Sequence, residues 1–156
     1  MPMYEKIETM KAFTELGLGL LDRRTADLEE AQLDWKYCAE ANTIRWILTH
    51  LSYEMHVFFP KVVKGKKDYK PEGWPDDYVG NAGYSLEKIK GDIETGKAKL
   101  MKMLGKLTTE DLAEEMDWFS GVKPKEVYLM LGISEIFRHE GQIAAILGVE
   151  KRMQGA

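Results

Sequence analysis

Asn42-Thr43-Ile44-Arg45-Trp46-Ile47-Leu48-Thr49-His50-Leu51 reads as the opening of an amphipathic helix. Asn42 is a good N-cap, because its side-chain oxygen can accept from an orphan N–H of the first turn. Ile44, Ile47, Leu48, Leu51, Met55 and Phe58–Phe59 then recur at helical spacing. Pro60 has no N–H to continue the ladder and is expected to end the segment.

Three other segments carry the same period. A first helix is expected from Tyr4 to Arg23, with Ile7, Met10, Phe13, Thr14, Leu16, Leu20 and Leu21 on its stripe. Gly17 and Gly19 each weaken a helix by roughly 1 kcal/mol relative to alanine, so close packing is the reason to expect for them. Ser85 starts a third helix through Leu86, Ile89, Ile93, Leu100, Met103 and Leu104, where Gly91 and Gly96 again suggest a near neighbour. Pro124 suits the first turn of a fourth helix, and Gly148 suits its C-terminal stop. Thr25–Ala41 is either a short helix or an extended connector, and Gly105–Lys123 is a loop with a capped turn at Thr108–Leu112.

Pro60 to Tyr84 holds three prolines, four glycines and four aromatics, Tyr69, Trp74, Tyr78 and Tyr84. Connections this long are uncommon in compact domains unless they do something. Such a segment can run the length of a bundle and leave helices two and three parallel. The expected fold is all-α: one domain over 1–156, a four-helix bundle in up-down-down-up order, with essentially no sheet.

Glu135 and His139 are four residues apart on the fourth helix, hence on one face with side chains about 5–6 Å apart. His50 is on the inner side of the second helix. Two imidazoles and one carboxylate from two helices leave open positions on a divalent ion, as catalytic metals require. Zinc, nickel, iron and manganese all accept this donor set. Glu54, at i+4 from His50, is either an exposed acid, a hydrogen-bonding support for a ligand imidazole, or an extra ligand. His56, about 120° around the helix from His50, is not expected to be a ligand. Trp46, one turn before His50, walls the site or simply packs in the core. Gly141 is expected to allow close helix approach, and Gln142 to bond a backbone group or a ligand. Cys38 has no base nearby in sequence and reads as an inert thiol.

The Asn42–Leu51 stretch, together with His139-Glu140-Gly141-Gln142-Ile143-Ala144-Ala145-Ile146-Leu147-Gly148, resembles the DinB-like four-helix metalloprotein superfamily from about Tyr4 to Gly148. The resemblance implies three ligands, one on helix two and two on helix four, which fall on His50, Glu135 and His139. Glu135 stands where the family usually has histidine, and Glu140 where it commonly has a basic residue. The resemblance also implies metal-dependent transfer or isomerisation involving a low-molecular-weight thiol and a small-molecule substrate, and a homodimer. Trp35, Trp74 and Trp118 in connecting segments, with the helix-one glycines, are further reasons to expect dimerisation. The competing reading is a non-catalytic bundle that binds a small ligand or partner, its metal lost or vestigial.

Composition excludes other classes. The chain has 156 residues, 44% hydrophobic and 31% charged, with a formal charge of −4. No basic face is visible to neutralise phosphates, which argues against nucleic acid. The lysines of Lys61–Lys70 are read as a solvated loop. No apolar run reaches the roughly 18–20 residues that span a bilayer. The N-terminus lacks the build of a signal peptide, and the single cysteine fits a reducing compartment, so a cytoplasmic location is expected.

Overall fold

A computed structural model describes residues 3–155, with side chains from residue 5 onward. Its elements are α1 (Met3–Thr25), α2 (Ile44–Tyr53), a π turn (Glu54–Phe58), α3 (Phe59–Lys64), α4 (Leu86–Leu104), α5 (Thr109–Ala113), β1 (Glu115–Trp118), β2 (Gly121–Pro124) and α6 (Lys125–Gly155). Four long helical runs enclose the core, since α2, the π turn and α3 form one continuous rod. α1 packs along α6 and α4, and the α2 rod packs against α4 and α6. Leu21, Leu48, Leu51, Met55, Phe59, Ile89, Leu100, Leu129, Ile133, Ile136 and Ile143 fill the interior.

The second rod departs from expectation at both ends. Its cap is Thr43, not Asn42: the Thr43 hydroxyl accepts from the Trp46 N–H at 3.0 Å. Pro60 does not end it. The helix runs on to Lys64 and closes on Gly65, whose φ of 65° is the left-handed cap conformation that glycine adopts without strain. The π turn explains the tolerance. A proline ring clashes with the carbonyl four residues back, and the wider i→i+5 turn loosens the ladder just before it. Lys61 and Lys64 therefore lie on a helix, and only the later lysines of that run are in a loop.

Two more expectations fail for local reasons. Gly148 lies inside α6 rather than at its end, because one glycine costs a well-packed helix only about 1 kcal/mol. The loop before α6 contains α5, with a Thr108–Asp111 capping box, and a two-stranded antiparallel hairpin, β1 to β2. Only Met116 of the hairpin is buried, so it caps the bundle rather than forming a layer.

Among the helix glycines, Gly17 and Gly96 do sit at close approaches. A methyl at Gly17 would meet Phe137 at 2.8 Å, and one at Gly96 would meet Met55 at 2.9 Å. Gly19, Gly91 and Gly141 face open space, so no neighbour explains them. Gly132, not singled out by the sequence, is the tightest: Phe59 would lie 2.7 Å from an added methyl.

Both connectors are fastened to the rod. Buried Arg45 makes two bonds to Asp34, at 2.7 and 2.8 Å, and also donates to the Tyr84 carbonyl. Arg45 thereby ties the Thr25–Ala41 connector, which is a short 3-10 turn and bends rather than a helix, to the end of the crossover. In the crossover, Tyr78 donates to Asp92 at 2.7 Å and accepts from Ser52 at 2.9 Å. The Gly80 N–H donates to Thr49 at 2.8 Å, and Gly80 lies against Trp46.

Candidate metal centre

Two helices converge at His50, Glu135 and His139. One ligand-competent atom from each lies within 4.8 Å of the others. Glu135 Oε2 is 3.1 Å from His139 Nε2 and 3.7 Å from His50 Nε2. Donor atoms on a tetrahedral ion with bonds of about 2.0–2.2 Å stand about 3.3–3.6 Å apart. The spacing and the chemistry of the donors both fit one divalent cation.

The surroundings fix the two imidazoles. Trp46 stacks on His50, with centroids 4.9 Å apart and planes 10° from parallel, and meets His139 edge-on at 6.0 Å. Gln142 Oε1 lies 2.7 Å from His139 Nδ1. A carbonyl oxygen can only accept, so Nδ1 donates, and Nε2 is the nitrogen turned toward Glu135. Burial, and then the neighbouring His139, push the His50 pKa below its ordinary value, which favours the neutral ring a metal needs.

Two further side chains touch the cluster. Arg138 donates to Glu135 Oε2 at 2.8 Å and reaches within 3.5 Å of His139 Nε2. Glu54 Oε1 lies 3.6 Å from His50 Nε2. Burial, and then the Glu135 charge, raise the Glu54 carboxyl to about 8.

His56 is outside the group, as its helical phase requires. Its Nε2 lies 2.8 Å from the Asp92 carbonyl, and its ring stacks on Trp74. Glu140 pairs with Arg24 at 2.8 Å, and Lys125 with Glu114 at 2.6 Å, so neither belongs to the centre. Cys38 is free and exposed. The anchors of the crossover, Thr49, Ser52, Tyr78 and Asp92, went unnoticed in the sequence. Thr49 and Ser52 did leave a signal as polar residues within an apolar stripe.

The tryptophans that suggested dimerisation are used inside the chain: Trp35 and Trp118 pack against the core, and Trp74 stacks between His56 and Tyr78. The exposed apolar surface lies elsewhere, in a groove of about 710 Å³ between α1 and α6 that includes Phe13, Val127, Met130 and Leu131. Among the described residues no helix is long and apolar enough to cross a membrane.

The chain is thus a mostly helical bundle in which two imidazoles and a carboxylate meet from facing helices. The DinB superfamily model matches residues 14–143, and the chain belongs to that superfamily. A DinB-like protein of Bacillus subtilis superposes with a TM-score of 0.73 at 13% identity, over 95% of this chain and 93% of that one. A histidine-to-alanine variant of the mycothiol-dependent maleylpyruvate isomerase superposes at 0.71 and 12% identity, over 92% of this chain and 63% of the isomerase. A conserved protein of Enterococcus faecalis gives 0.66 and 13%, over 89% and 93%. Among curated proteins, none matches the chain. At these identities the likeness is one of fold.

Proposed function

We propose that this chain is a metal-dependent enzyme of the thiol-dependent transferase or isomerase type, with His50, Glu135 and His139 holding one divalent ion. The observation that carries the reading is the convergence of these three donors from two helices within 4.8 Å. A bound divalent ion supplies Lewis acidity that lowers the pKa of a coordinated thiol or water. The chain's own residues prepare that chemistry. Gln142 holds the His139 tautomer, Trp46 fixes the His50 ring and shields one side, and Glu135 adds negative charge that tempers the ion's acidity. The likeness to a mycothiol-dependent isomerase favours a low-molecular-weight thiol as co-substrate, with a small electrophile as its partner.

The wider reading is a single cytoplasmic domain in up-down-down-up order, supported by a crossover anchored to both α2 and α4. It includes a homodimer formed through the apolar groove between α1 and α6. Light scattering across micromolar concentrations tests the last point, and a monomer mass throughout would overturn it.

A second reading has one observation in its favour. Arg138 pairs with Glu135 and approaches His139, so those two side chains have a cationic neighbour without a metal, as a vestigial site would. Elemental analysis of the purified chain, with a thiol titration of its cobalt form followed in the visible, separates the two. Stoichiometric metal and a spectral change on thiol addition support the enzyme. Metal-free protein with no cobalt spectrum supports the non-catalytic bundle.

A further inference from the structure

Glu54 is 7% exposed, and its carboxyl group, in touch with solvent only at an edge, accepts no hydrogen bond from a described residue. A buried carboxylate without a partner is expensive unless a cation or a proton offsets it. The nearest guanidinium, Arg138, is bonded to Glu135 instead. The Glu54 carboxyl approaches the metal centre, 3.6 Å from His50 Nε2. That separation is within the spread of donor–donor distances on one divalent ion of higher coordination. Glu54 stands outside the group of three and approaches it from the His50 side.

The arrangement is reciprocal. One helix offers His50 and Glu54 at i and i+4; the other offers Glu135 and His139 at i and i+4. Each contributes one imidazole and one carboxylate, and two carboxylates balance the charge of a divalent ion. Glu54 is also the first residue of the π turn, a helical irregularity that recurs at functional sites.

We propose that Glu54 is the fourth protein donor of this metal centre, making it a set of two imidazoles and two carboxylates on a manganese, iron or zinc ion of five or six coordinates, which keeps a position open for a thiol or water. The inference rests on the metal-binding reading above.

Zinc titration of the metal-stripped full chain against a chromophoric chelator tests both in separable ways. Loss of a hydrogen-bonding support costs about 10–100-fold in affinity, so loss of a true donor in Glu54→Gln should exceed that range. Glu54→Asp keeps the charge but withdraws the oxygen by one methylene, and should weaken binding nearly as much. Zinc X-ray absorption of the unaltered chain should fit two carboxylate donors. Binding by Glu54→Asp like that of the parent, or a spectrum with one carboxylate, would overturn the role of Glu54 and leave the three-donor site standing. Failure of the unaltered chain to take up zinc would remove both.

Discussion

His50 and His56 sit six residues apart on the same rod, each stacked on a tryptophan and each with a pKa lowered chiefly by burial. What differs is what Nε2 meets. At His56 it meets the Asp92 carbonyl at 2.8 Å, so the nitrogen donates and has no lone pair left for a metal. At His50 it faces two carboxylates at 3.6 and 3.7 Å, neither within hydrogen-bonding distance. Burial and aromatic packing do not distinguish a ligand from a brace, whereas the partner of the second nitrogen does.

The sharpest break of that contrast is His139→Ala against His56→Ala. The first should reduce zinc content to background, while the second should leave it stoichiometric. Metal loss in His56→Ala with its fold intact would erase the distinction.

Next in size is the pH response of the metal-free chain. Folded Glu54 keeps its proton to about 8, whereas the unfolded chain releases it near 4.5. Between those values the folded state holds the extra proton, so stability falls as pH rises, by at most about 1.4 kcal/mol per pH unit. Urea unfolding at several pH values should show this slope, and Glu54→Gln should flatten it. His50 and His56, lowered by burial, act in the opposite sense below about 6.5, so the parent is read against Glu54→Gln. A difference between the two that does not fall from pH 5 to 8 would contradict the carboxyl's environment.

On the brace side, Tyr78→Phe deletes the hydroxyl that joins Ser52 to Asp92, and His56→Ala deletes the contact to the Asp92 carbonyl. Each should cost about 1–3 kcal/mol in denaturant unfolding, with zinc affinity unchanged. The smallest effect is expected for Glu135→His, which should bind zinc as tightly as the parent or more so. A loss beyond about tenfold would mean that the carboxylate matters for its charge rather than as a donor.

The helices were legible because apolar residues recur at 3.6-residue spacing in long segments, and period is the strongest local signal. The clustering of Glu135 and His139 was legible for the same reason: i and i+4 on one helix fixes a shared face before any tertiary contact is known. The hairpin at Glu115–Pro124 was not, since four-residue strands with one buried side chain carry no period. Pro60 and Gly148 read as helix stops on intrinsic cost alone, and tertiary packing, with a widened turn before Pro60, outweighs that cost. The anchoring of the crossover depends on partners at sequence separations of 14 to 39 residues, such as Tyr78 with Asp92 and Arg45 with Tyr84, which no window on one segment reveals.

A π turn carries one residue more than the α turn it replaces, and each α-helical residue advances the spiral by roughly 100°. The Glu54–Phe58 turn therefore acts as a phase shifter within a single rod. His50, before it, is indexed to His139 on α6, and Phe58 and Phe59, at its far end, to the hairpin and Gly132. The same step is a slipped register for anyone comparing sequences: a relative lacking the extra residue would align through His50 and then run one position out of step up to Pro60. A one-residue deletion inside a helix, ordinarily ruinous, would here restore a plain α spiral and rotate Phe58 and Phe59 away from the glycine that receives them.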